Sequence, residues 1–190
     1  MMRTIGAAIA LMAGLLAAGP ASAEKLDVST ITCQDMTQAM NSKSNDEQYG
    51  MSTILYWLAG YNATEDEGTV IYFKSLEQDF ANTLEYCSKN PKISVMTAAG
   101  KFMGENGTEA TGDPVDLSTL KCERLTQTTK DDEEGLGQIL MWLAGYHADV
   151  NDDQVFDTEA FQEHASEIGA YCKENTQVGF FTTAQKYMTQ

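Results

Sequence analysis

The pentapeptide Trp-Leu-Ala-Gly-Tyr occurs twice in this chain, at Trp57–Tyr61 and at Trp142–Tyr146. Cys33 and Cys87 flank the first copy, and Cys122 and Cys172 flank the second. From tryptophan to second cysteine the copies keep an offset of 85 residues, which continues through Ala99/Ala184, Lys101/Lys186 and Met103/Met188. Ahead of the tryptophan, Ser29-Thr30…Cys33 matches Ser118-Thr119…Cys122 at an offset of 89, so about four residues are lost from one loop of the second copy. The chain is a tandem duplication, and each copy must fold within the limits of a short segment.

The first 23 residues read as a cleavable export signal. Arg3 supplies a positive start, Ile5–Ala18 is a short apolar run, Gly19-Pro20 breaks it, and Ala21-Ser22-Ala23 is an A-x-A cleavage pattern. Cleavage after Ala23 predicts a periplasmic protein, and no later run is apolar enough over ~18 residues to span a membrane. Export makes the cysteines legible, because an even count in an oxidising compartment argues for disulfides. Three pairings exist in principle. The repeat selects Cys33–Cys87 with Cys122–Cys172, since each copy must close its own bridge. Zinc is the competing ligand, but the close Cys pairs it usually uses are absent. Each repeat spans only about 75 residues, a size at which one hydrophobic core is marginal and a staple is useful. A bridge closing such a loop contributes on the order of 4 kcal/mol in the chain-entropy model.

The sequence divides into the signal (1–23), a first domain (24–103), a flexible acidic linker (104–116) and a second domain (117–190). The linker, Gly104 to Asp116, is rich in Gly, Thr and acid. Within each domain the pattern is helical. Ser44-Asn-Asp-Glu47 has capping-box form, and Tyr49, Met51, Ile54, Leu55, Trp57 and Leu58 recur at roughly helical spacing. Ile139, Leu140, Trp142 and Leu143 take the matching places in the second copy. Gly60 and Gly145 fall near the end of this helix, where glycine caps or permits close packing. Val70-Ile71 and Val155-Phe156 predict brief extended contacts. A further helix follows, through Leu76, Phe80, Leu84 and Cys87 or through Phe161, Ala165, Ile168 and Cys172. A last short helix covers Val95–Met103 or Gly179–Met188. The expected class is all-α: two tandem helical domains of about four helices each, one disulfide apiece.

Ile31-Thr-Cys33-Gln-Asp35, Trp57–Tyr61 with Asn62, and Glu85-Tyr-Cys87-Ser-Lys-Asn90-Pro91, with their second-copy counterparts Cys122-Glu123, Trp142–Tyr146 with His147, and Tyr171-Cys172-Lys-Glu-Asn175, together resemble the HdeA/HdeB family of small periplasmic acid-stress chaperones. The resemblance covers nearly all the mature chain, twice. It implies single-disulfide helical domains, dimeric at neutral pH, which loosen in acid and hold acid-denatured periplasmic proteins soluble on exposed apolar surface. Here it implies a covalently linked pair whose repeats can pack as an intrachain pseudo-dimer and can also form a homo-oligomer. Linkage raises the effective concentration of each half, so opening replaces dissociation. The candidate client-binding or interface residues are Ile54, Leu55, Trp57, Leu58, Tyr61, Ile139, Leu140, Trp142, Leu143 and Tyr146. Their ordinary role at neutral pH is core.

The chain carries 28 acidic residues against 12 basic ones, a net charge of −16, or −17 once Arg3 leaves with the signal. Nucleic acid and anionic membrane surfaces are poor partners for such a surface. Protonating every carboxylate in strong acid leaves about +13, and self-repulsion then favours expansion. Mild acid first relieves carboxylate repulsion, so opening is expected only in strong acid.

Other constellations are thin. His147 and His164 occur only in the second copy and are expected to face solvent. Asp149-Val-Asn151-Asp-Asp153…Asp157 begins like a calcium loop but has Gln154 at the sixth position and Ala160 at the twelfth, leaving weak divalent binding at most. Asp131–Glu134 reads as favourable charge at a helix start. With no nucleophile–base pattern or phosphate loop, enzyme activity has no support, and no cofactor or metal is expected. The runner-up function is a constitutive periplasmic protein-binding module without acid activation.

Overall fold

The computed structural model describes residues 25–64, 69–126, 130–150 and 154–188. The export signal therefore lies outside the described residues. In chain order the elements are β1 (Lys25–Asp27), α1 (Cys33–Met40), α2 (Asn45–Tyr61), β2 (Val70–Ile71), α3 (Phe73–Lys89), α4 (Val95–Ala99), β3 (Val115–Asp116), α5 (Glu123–Thr126), α6 (Lys130–Val150), β4 (Val155–Asp157), α7 (Thr158–Glu174) and α8 (Phe180–Met188). The class is all-α with minor strands, as the sequence predicts.

Local chemistry sets the helix starts. Thr32 and Asp35 close a reciprocal capping box on α1. The Ser44 hydroxyl accepts from the Glu47 N–H at the start of α2, and Asp157 accepts from the Glu159 and Ala160 N–H groups at the start of α7. The bridges Cys33–Cys87 and Cys122–Cys172 pin the first helix of each repeat to its long third one.

The two repeats meet along α2 and α6. A Cβ placed on Gly60 would lie 1.8 Å from the Trp142 carbonyl oxygen, and one on Gly145 would lie 1.8 Å from that of Trp57. The reciprocity marks a local two-fold relation. Only a hydrogen at each glycine lets the two backbones touch. Gly145 is thus no cap: α6 runs on to Val150, and the residue serves the crossing.

The edge strands are exchanged. β1, ahead of the first repeat, pairs antiparallel with β4 of the second (Leu26 opposite Phe156). β3, ahead of the second repeat, pairs with β2 of the first (Ile71 opposite Val115). The next amides continue the pattern, Val28 N–H to Gln154 carbonyl at 2.9 Å and Leu117 N–H to Thr69 carbonyl at 2.6 Å. Val28 and Leu117 are buried, so these leaders carry core residues across the repeat boundary.

The linker is docked, not a free tether. Asp79 accepts from the Thr108 N–H at 2.7 Å, and Ser75 both donates to the Glu109 carbonyl and accepts from the Thr111 N–H. Gly104, at φ +60°, begins this path where a Cβ would meet the Asn62 carbonyl at 1.8 Å. Satisfying the buried Asp79 carboxylate is the physical reason the segment lies down on α3. The first copy's last helix ends at Ala99, short of the expected Met103, because the chain turns there into the linker.

Candidate functional site

The crossing gathers the ten apolar candidates along two facing helices. Ile54, Leu55, Trp57, Leu58, Trp142 and Leu143 are buried, while Tyr61, Ile139, Leu140 and Tyr146 are half-buried. Trp57 stacks on Tyr61 at 5.1 Å between ring centres, and Trp142 on Tyr146 at 5.5 Å. Each pair spans one helical turn, which places both rings on one face. In the folded state the stripe is shared core.

The repeats are unequal where α1 and α5 meet their main helices. Met36 of α1 is fully buried, but its counterpart Leu125 is half-buried. Leu125 lines a cleft of about 300 Å³ with Phe73, Leu136, Ile139, Phe180 and Arg124. Apolar surface is therefore already reachable on the second repeat.

Among the described residues, four titratable groups depart from their ordinary behaviour. The Thr32 hydroxyl, donating at 2.6 Å, and then the Thr32 N–H hold Asp35 below the usual carboxylate range. Asp157 is lowered first by the Ala160 N–H, with Lys25 across the exchanged strand pair adding to it at 3.3 Å. Lys89 lowers the exposed Glu85. Burial lowers His147, because a charged imidazole loses its water there.

Both histidines line a second cleft, of about 140 Å³, together with Trp57, Asp157, Ala160 and Met188. The expectation of two solvent-facing histidines is corrected for His147, which is only 4% exposed. It sits one turn after Leu143, on the side of α6 that packs inward. His164 remains partly exposed, with Nδ1 3.9 Å from Glu167 Oε2. Among the described residues no three His, Cys, Asp or Glu side chains are grouped to hold a metal. Of the acidic stretch 149–157, residues 151–153 lie outside the described residues, and Asp157 is used as a helix cap. Asp131–Glu134 belong to the backbone of α6 itself, just after its start at Lys130.

Sequence reasoning missed the strand exchange, the docked linker and the buried Asp79. The match at offset 89 also includes Asp27 and Asp116, each accepting from the backbone and hydroxyl of the serine two residues on. That extra pair was the available signal that the leaders are structured.

Two small helical units, each stapled by one disulfide, pressed together through their main helices and exchanging edge strands, define an all-α intrachain pseudo-dimer. The HdeA/HdeB family model matches this chain twice, over residues 1–97 and 102–182. The chain belongs to the HdeA/HdeB family as a tandem duplication, and at the level of that family membership suggests a periplasmic acid-stress chaperone rather than an enzyme. Comparison with curated proteins and with solved structures gives no match. No described helix is long and apolar enough to cross a membrane.

Proposed function

We propose that this protein is a periplasmic holdase, released from its signal after Ala23, that opens in strong acid and binds acid-denatured proteins on the α2/α6 stripe. One observation carries the reading: the apolar stripes of α2 and α6 are buried in one shared core where the two repeats cross. Parting the two halves uncovers Trp57, Trp142 and their neighbours while each disulfide keeps its own repeat compact. Each such side chain, once uncovered, offers about 1.5–3 kcal/mol of burial to a client.

The proton-sensitive contacts lie in suitable places. Asp157 caps α7 and pairs with Lys25 of the exchanged strand. Its folded pKa is depressed from 3.8, so its contribution is present above about that pH and is lost as pH falls through the folded value. Asp35 behaves alike. His147 adds a term from higher pH, since unfolding lets it take up a proton below about 6.5. The net negative charge opposes these in mild acid.

The test is aggregation of an acid-denatured periplasmic protein at pH 2–3, with dye binding followed from pH 7 to 2. Suppressed aggregation with a steep rise in dye signal is expected. Absence of suppression at every acidic pH would sink the reading. The 300 Å³ cleft favours a second one, a constitutive binding module; a dye response flat with pH would support it instead.

A further inference from the structure

The linker of the first repeat lies on three floor positions: Asn62, Ser75 and Asp79. Gly104 touches the Asn62 carbonyl, Ser75 bonds to Glu109 and Thr111, and Asp79 bonds to the Thr108 N–H. At the constant offset of 85 these positions become His147, Ala160 and His164 in the second repeat. All three line the cleft of about 140 Å³, and so does Met188, the counterpart of the Met103 from which the linker departs. The cleft is thus the second repeat's version of the linker seat.

We propose that this seat is a docking groove for an extended segment of another polypeptide, rich in Gly, Ser and Thr, held as the linker is held on the first repeat. The chemistry is that of the internal example. Small residues let the backbone approach the floor, as Gly104 and Gly107 do, with Cβ positions 1.8 Å from Asn62 and 3.0 Å from Asp79. Main-chain groups then bond to floor side chains. His164 takes the place of the Asp79 acceptor, and an imidazole can accept an amide N–H through one nitrogen and donate to a carbonyl through the other. Asp157 and Trp57 also line the cleft. The groove is present in the closed protein, so this proposal stands or falls separately from acid opening.

The probe is a synthetic peptide of residues 104–111, Gly-Glu-Asn-Gly-Thr-Glu-Ala-Thr, added to the mature chain at pH 7. The free peptide lacks the millimolar-range effective concentration that tethering gives the linker, so the titration runs into the millimolar range. Saturable binding is expected there, with shifts in the His147 and His164 ring resonances and in Trp57 fluorescence. Ala160→Ser restores the first repeat's hydroxyl and should tighten binding about 3–10-fold, the worth of one added hydrogen bond. Ala160→Trp fills the groove and should abolish it, with unchanged helical circular dichroism showing that the fold survives. Three results overturn the proposal: no saturation, shifts confined to residues around Asp79, or equal affinity for wild type and Ala160→Ser. A Trp57 signal that tracks protein concentration, with doubled mass in sedimentation, would mean that a second copy fills the groove and would also overturn it.

Discussion

Replacing Gly60 by alanine tests the crossing directly. The new methyl would sit 1.8 Å from the Trp142 carbonyl oxygen, 2.7 Å from its carbon and 2.9 Å from the Tyr146 nitrogen, all of them backbone atoms that cannot rotate away. An ordinary carbon contact is about 3.5 Å, so α2 and α6 must part locally by roughly 1.5 Å. A gap of only about 0.5–1 Å already forfeits a quarter to a half of each dispersion contact. Overpacking of this kind costs about 1–3 kcal/mol or more, and the helix propensity gained by alanine returns up to about 1. The net loss is about 2 kcal/mol, a fall in Tm of about 4–8 °C for a chain of this size. Gly169→Ala is the control: it lies inside α7 with nothing within 4 Å of its Cβ, so it should stabilise by about 0.5–1 kcal/mol. Urea and thermal unfolding at pH 7 read both signs. Gly145→Ala should match Gly60→Ala, and the double variant should cost less than their sum because one separation relieves both clashes. A Gly60→Ala protein as stable as wild type would refute the backbone contact, and with it the idea that the repeats are held apart from solvent by this crossing. If it is destabilised, its dye-binding onset should move to higher pH.

The remaining predictions concern protons and the linker. His147→Asn installs the first repeat's residue; since the folded His147 pKa lies below 6.5, wild-type stability should fall as pH drops below that value, by at most about 1.4 kcal/mol per pH unit. The variant should lack that slope in urea midpoints at pH 7 and 5, and identical slopes would contradict the burial argument. Asp157→Ala should cost about 1 kcal/mol at pH 6 through the lost cap of α7. That gap should close as pH falls well below 3.8, where the wild-type carboxylate is protonated too; a gap constant with pH would argue against it. Asp79→Ala leaves the Thr108 N–H without its acceptor, at about 1–3 kcal/mol. Limited proteolysis should then cut within residues 104–112 faster than in wild type, and an unchanged cleavage rate would mean the linker is held by other contacts.

Residue spacing alone carried the duplication, the pairing of Cys33 with Cys87 and Cys122 with Cys172, the helical class and the apolar stripe of each main helix. These follow from local rules: a period of 3.6 needs no partner to be recognised, and two copies of one frame must close the same bridge. Tertiary structure decided the rest. Whether Gly60 caps a helix or admits a neighbour depends on what stands opposite, and only the fold puts the Trp142 carbonyl there. The linker read as flexible because Gly, Thr and acid lack a hydrophobic pattern, yet the buried Asp79 and Ser75 give its amides and carbonyls partners. His147 is buried by the α6 face it shares, a property of the packed helix and not of the histidine. The exchange of β1 and β3 between repeats was also invisible, because strands of two or three residues have no periodicity to read and gain meaning only from the edge they meet.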